Sequence, residues 1–224
     1  IYYYNENMRS VYLYSNRVTG TYTTASPSTT SPTSVTVAGN TYTLGTSSAA
    51  YKLSSMGDFT VGDVVTLLLG MDGTVADVVA AEEVSSICYG VVTANGNSSY
   101  VTEGGAIEAG RTVQLFCTDG TTRTFTANAS LRIGSIVSVS YSGGRTVVRS
   151  IGSKSLSGQV SRDGTKLGDT RFASDIQILD TDRDGNYALI YPSRLAGYRL
   201  DSDDVRWYAT NEDGEITHLI LNNA

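Results

Sequence analysis

Apolar and polar residues alternate along most of this chain with a period of two, in runs of four to eight residues broken by Gly, Asn and Asp. That pattern predicts strands joined by tight turns. Val61-Gly62-Asp63-Val64-Val65-Thr66-Leu67, a turn at Asp72-Gly73, and Val75-Ala76-Asp77-Val78-Val79 read as one hairpin, with Val64 expected in a small core. About 72 positions on, the pattern returns as Ile133 to Val139, a turn at Gly143-Gly144, and Arg145 to Arg149; it returns again as Asp204 to Tyr208, Asp213-Gly214, and Glu215 to Ile220. Self-similarity at a fixed spacing is the mark of a copied structural unit.

A second hairpin recurs upstream of each of these. Val35-Thr36-Val37 leads to Thr41-Tyr42-Thr43-Leu44, Val113 to Phe116 leads to Arg123 to Thr126, and Ile176 to Leu179 leads to Asn186 to Leu189. Tyr42, Phe125 and Tyr187 form an aromatic column expected to face a core. A leading strand marked by Gly20, Gly90 and Gly158 precedes each copy. Single helical turns are predicted over Tyr51 to Gly57 and Pro192 to Gly197, where Pro and Gly suit a start and a stop. The expected fold is all-β: three tandem small barrels, OB-like or SH3-like, of about five strands each, because closure removes exposed sheet edges. The units are expected at 20–88, 89–155 and 156–224.

Residues 1–19 fit the same scheme, Tyr2-Tyr3-Tyr4-Asn5-Glu6 matching the region of Asn211-Glu212. They read as the closing hairpin of a truncated upstream module, its tyrosines buried against the next unit or a second copy. An ordinary N-terminal hairpin of the first barrel is the alternative.

Composition agrees with strands: Thr, Val, Tyr, Ser and Gly dominate, and 17% of residues are charged. The net charge of −6 gives no attraction to phosphate, so no nucleic-acid partner is expected. No apolar run approaches the ~18 residues of a membrane span, so membrane insertion is not expected. Thr23 to Ser34, rich in Ser, Thr and Pro, reads as an exposed flexible loop, with an O-glycan acceptor stretch as the alternative. Neither a Walker-type nor a dinucleotide-type glycine loop occurs, and no cofactor is implied.

Few residues suggest chemistry. His218 is the one histidine and shares its column with Asp77 and Arg149, which places it on the exposed face of a closing strand. A catalytic triad or a histidine metal site has no partner for it. Cys88 and Cys117 approach each other if the leading strand pairs with the next one, and a disulfide is open, though its geometry is demanding. Asp180-Thr181-Asp182-Arg183-Asp184-Gly185 matches the first half of a calcium loop, but Tyr191 stands where a bidentate Glu belongs. An Asp-rich hairpin turn explains Asp180, Asp182 and Asp184 equally well. Asp201, Asp203 and Asp204 form a second acidic cluster, read as surface. Tyr2, Tyr3, Tyr4, Tyr12 and Tyr14 either stack on sugar rings or serve contacts between units. No catalytic, cofactor-binding or metal residue is assigned.

The recurring Gly62-Asp63-Val64-Val65 with Asp72-Gly73-Thr74-Val75 resembles the tandem β-modules of Gram-positive, clostridial-type cell-surface proteins, which often also carry S-layer homology repeats. The resemblance implies a secreted, cell-wall-associated location and a non-catalytic stalk or adhesion role. Cell-wall polymer, glycan or another surface protein would be the partner. The alternative is a carbohydrate-binding or substrate-positioning region of a secreted glycan-active enzyme.

Overall fold

A computed structural model describes residues 1–81, 88–102, 105–127, 130–142, 145–182 and 184–224. Gly143, Gly144 and Arg183 lie outside the described residues. The chain is all-β, with nineteen described strands and two short helical turns.

The chain opens on a separate antiparallel hairpin, β1 (Tyr2–Asn5) with β2 (Ser10–Leu13), while Arg17 to Thr19 of the expected 1–19 segment already belong to the next strand. The first unit contains β3 (Arg17–Ser26), β4 (Ser34–Val37), β5 (Asn40–Thr43), β6 (Val64–Leu69) and β7 (Val75–Ala80). β3 pairs with β4 and β6, β4 with β5, and β6 with β7, while a parallel bridge from Leu44 to Val75 returns the circuit from β5 to β7. Helix α1 (Ser47–Lys52) sits between β5 and β6, earlier than the predicted turn, because the Thr46 hydroxyl accepts from the Ala49 N–H and so starts it. Ala49 and Leu53 close one end of the core made by Tyr22, Val35, Val37, Val65 and Leu67. Val64 is only half-buried; Val65 and Leu67 take the core positions. The expected Thr23–Ser34 loop is shorter than predicted, since β3 and β4 stay paired out to Ser26 and Ser34 and leave 27–33 as the loop.

The second unit contains β8 (Cys88–Val101), β9 (Ile107–Cys117), β10 (Thr122–Ala127), β11 (Ile136–Ser142) and β12 (Arg145–Ser150), ordered β10-β9-β8-β11-β12. It is not a separate body. β10 pairs in parallel with β3, Arg123 to Phe125 against Arg17 to Thr19, so the two units share one ten-stranded sheet.

The third unit contains β13 (Gly158–Gln159), β14 (Lys166–Leu167), β15 (Thr170–Thr181), β16 (Tyr187–Ile190), β17 (Arg199–Leu200), β18 (Val205–Thr210) and β19 (Ile216–Asn222). It departs from the expected columns. The strand parallel to β19 is β15, and β16, which the repeat places in that role, flanks β15 on its other side. The predicted turn at Pro192 is present as one 3-10 turn, Pro192–Arg194, with Gly197 at φ +81° beyond it.

The leading-strand glycines have a steric cause. A Cβ on Gly20 would lie 2.6 Å from Thr126 Oγ1 in β10, one on Gly90 2.6 Å from the Phe116 carbonyl, and one on Gly158 2.9 Å from the Gly168 nitrogen. Asp-Gly-Thr turns also repeat: Asp72, Asp119 and Asp163 each accept from the N–H and hydroxyl of the Thr two residues on. Gly90→Ala is expected to cost about 1–3 kcal/mol in denaturant unfolding, since the Phe116 backbone must shift to admit the methyl. Gly152→Ala, with open space around it, is the control and should leave stability unchanged.

Candidate functional site

The residues with chemical capacity gather at the two junctions between units. At the junction of the second and third units, Val91 and Ile136 meet Leu179, Trp207 and Ile220 in one buried cluster, with Tyr89, Phe116, Ile151, Tyr187 and Ala209 packed against it. Period-two alternation puts Trp207, Ala209, His218 and Ile220 on one face of the β18–β19 hairpin, and the second unit covers that face. The Tyr89 and Trp207 ring centroids are 4.6 Å apart, and Phe116 stacks on Tyr187 at 5.7 Å. Tyr187 therefore serves the junction, while its column mates Tyr42 and Phe125 pack in the cores of their own units. Polar contacts frame the patch. Arg206 donates to the Gly134 carbonyl at 2.6 Å and to Thr181 Oγ1 at 2.9 Å, and Thr118 Oγ1 donates to Gln177 Oε1 at 2.7 Å.

His218 belongs to this junction, which corrects its expected exposed placement. The column logic failed because a strand face open in one unit is covered in another. Its ring meets Tyr89 edge-on at 4.8 Å, and Nδ1 lies 2.9 Å from Thr217 Oγ1. Burial lowers its pKa, partly opposed by the charges of Asp175 and Asp119. The column mate Asp77 is paired with Lys52 at 2.8 Å instead.

At the junction of the first and second units, Arg123 is buried and its guanidinium donates to Asp119 and Thr121. Burial works against its charge, but Cys88 and Asp119 outweigh it, and the pKa is raised. Arg17, from β3, is half-buried beside it, and burial together with the Arg123 charge lowers its pKa. Cys88 and Cys117 sit against this charged group as free thiols, with their sulfurs 2.8 Å apart. The contact between the two thiols lowers the Cys88 pKa and, with burial, raises that of Cys117 well above its ordinary value. A small pocket lined by Arg17, Thr19, Cys88, Arg123, Phe125 and Thr146 reaches the Cys88 member of this pair. The sequence pointed to the cysteines but not to the arginines, because the parallel pairing of β3 with β10 was not legible in it.

The acidic runs are turns. Asp182 Oδ1 accepts from the N–H groups of Asp184 and Asn186, and Asp180 Oδ1 from those of Thr181 and Ala224. Asp204 accepts from the Asp201 N–H, and Asp201 meets Arg199 at the exposed surface. Among the described residues, no group of three or more His, Cys, Asp or Glu comes together that could hold a metal ion.

The N-terminal tyrosines are not buried on the next unit as expected. Tyr2, Tyr3, Tyr4 and Tyr12 are exposed, Tyr2 to 74%, and Leu13 beside them to 81%. Their hairpin nevertheless repeats the frame of β18–β19. Tyr3 lies opposite Tyr12 as Ala209 lies opposite His218, and the Asn5 and Asn211 side chains each accept from a backbone N–H of their own turn. No protein-family model, curated protein or solved structure matches the chain.

Because the pKa of His218 falls below its ordinary value of about 6.5, the unfolded chain takes up the proton first as pH drops. The stability due to neutral His218 is full above about pH 6.5 and is lost as pH falls toward the folded-state pKa. Between pH 7 and 5 the melting temperature of the natural protein should fall more than that of His218→Gln. Parallel profiles would show that His218 is not the titrating group.

Proposed function

We propose that this chain is a non-catalytic, extracellular repeat region of a bacterial cell-surface protein, acting as a structural stalk with an adhesive or interacting face. The observation that carries the reading is the way its units adjoin. Neighbours share a sheet at one junction and a buried aromatic patch at the other. Such walls transmit force and hold spacing, and the residues with chemical capacity are spent in making them. Solenoid and array proteins derive their stability from nearest-neighbour contacts of this kind.

In this reading each unit is a variant of the OB-like barrel. The first comes nearest, its circuit β3-β4-β5-β7-β6 returning to β3 with a helix between the third and fourth strands. The β1–β2 hairpin shares the frame of β18–β19, and its tyrosines are the face the array offers to a neighbouring β-unit. An isolated two-stranded hairpin is marginal in water, so a cover for that face stabilises it. Cell-wall polymer, glycan or another surface protein is the partner class.

A carbohydrate-positioning region of a glycan-active enzyme is the second reading, favoured by Tyr191 and Tyr198, exposed to 75% and 65%. Titration with soluble cell-wall glycans separates the two. Chemical-shift or fluorescence changes that saturate and vanish in Tyr191→Ala or Tyr198→Ala support the glycan reading, and a flat titration supports the stalk.

Antibodies raised against the purified chain should label intact cells of the source bacterium. Labelling only after lysis would sink the surface assignment. Trp207→Ala should cost about 3–5 kcal/mol, by analogy with other large aromatic truncations. Trp207 is the single tryptophan and sits at the junction, so its fluorescence should report the same unfolding transition as circular dichroism. A separate earlier fluorescence transition would mean that the junction opens before the units melt.

A further inference from the structure

The fold brings together two cysteines 29 positions apart in sequence, on neighbouring strands, and nothing in the all-β packing requires them to be cysteines. Gly90, not Cys88, lies directly opposite Cys117, so the thiols meet on the diagonal of the β8–β9 ladder. Diagonal neighbours usually stand too far apart to bridge. Here the sulfurs are 2.8 Å apart, closer than two unbonded thiols rest. Gly90 contributes to this, since its lack of a side chain lets β8 close onto the backbone of Phe116 and Cys117.

We propose that Cys88 and Cys117 form an oxidisable pair that closes to a cross-strand disulfide, with hydrogen peroxide as the oxidant of the folded protein. Three features besides the distance support it. The pocket at the first junction reaches Cys88 and has room for about one water-sized molecule, which suits a peroxide and excludes a bulky disulfide reagent. Arg17 and Arg123 line that pocket and favour a thiolate at Cys88. Cys117 is fully buried behind Cys88, where it can act only as the second sulfur.

The chemistry balances. The Cys88 thiolate attacks one peroxide oxygen, the O–O bond breaks, and the hydroxide that leaves is protonated to water. Cys88 is then a sulfenic acid. Cys117 loses its proton as its sulfur attacks the Cys88 sulfur, the S–O bond breaks, and a second water departs. Two thiols have given up two electrons and two protons to one peroxide. The product ties the base of the long β8–β9 hairpin, whose outer part packs against the first unit near Gly39.

The test is thiol counting by intact mass on the whole chain. Reduced protein alkylated in denaturant should carry two adducts; protein exposed to peroxide while folded should carry none and weigh 2 Da less, a difference of two hydrogens. In Cys117→Ser, the Cys88 sulfenic acid should be trapped by dimedone, and in Cys88→Ser, Cys117 should remain alkylatable after the same exposure. The oxidised chain should melt about 5–10 °C higher than the reduced one. Three results would overturn the proposal: both thiols surviving peroxide in the folded protein, both cysteines reaching sulfinic acid without a bond, or closure just as fast in urea as in the fold. Should the serine variants fail to fold, dimedone trapping and thiol counting on the natural chain decide the matter.

Discussion

The backbone of β3 is the constraint on which the first two units depend. Its first residues are bonded on both sides, to β6 of their own unit and to β10 of the next, and its later residues to β4. Val18 to Thr23 are therefore buried on both faces. A strand with two covered faces cannot show plain alternation. Its polar side chains must find partners inside, as Thr19 and Thr66 do by sharing a hydroxyl hydrogen bond of 2.8 Å. The approach of β10 is close enough that position 20 admits no side chain. One glycine thus sets how near two units can lie, and that distance brings Arg17 beside Arg123.

The hairpins were legible because their causes are local. A turn of Asp-Gly-Thr needs a positive φ at its centre and an acceptor two residues before the Thr N–H, and both requirements are written in three consecutive letters. The glycine column was legible as a column, though its cause is the nearness of a partner strand. What stayed hidden is parallel pairing, which joins residues far apart in sequence. Nothing around Phe172 to Thr181 says that β15, rather than β16, runs beside β19. Nothing near Arg123 says that its neighbour is Arg17. The three-barrel expectation treated matching columns as matching environments, and that holds for turns better than for strand faces.

The candidate residues divide the same way. Asp180, Asp182 and Asp184 were readable as a turn because an aspartate's first partners are its own chain neighbours. Cys88 and Cys117 were readable as a pair because adjacent antiparallel strands have a calculable register. His218 was misplaced because its environment is supplied by Tyr89, which belongs to another unit. Trp207 falls inside the strand expected over Asp204 to Tyr208, and its cover comes from another unit. An aromatic on the outer face of a closing hairpin, next to an exposed-looking polar column, is a signal for a covered face, and Trp207 beside His218 carries it.

The two junctions differ in kind, and the difference bears on how the chain resists unfolding. The first is made of backbone hydrogen bonds, where geometry is strict, beside a buried Arg123 whose charge is met by Asp119 of its own β9–β10 turn, so that losing the carboxylate would leave a buried cation unpaired. The second is made mainly of apolar and aromatic area, tolerant of small shifts and scaling with surface removed from water. Cation and ring contacts add to it, with Lys154 Nζ 4.0 Å from the Tyr208 ring centroid and the Lys154 N–H donating to the Arg206 carbonyl. The second unit sits between them and draws on both. Its own core of Val92, Val113, Leu115 and Val137 is modest, yet β10 is held at one edge by the sheet shared with β3, and Tyr89 and Val91 of the leading strand pack in the patch that holds Trp207. Bracing of this kind couples the melting of the middle segment to that of its neighbours, so cooperativity along the chain follows from where the contacts lie rather than from the strength of any single core.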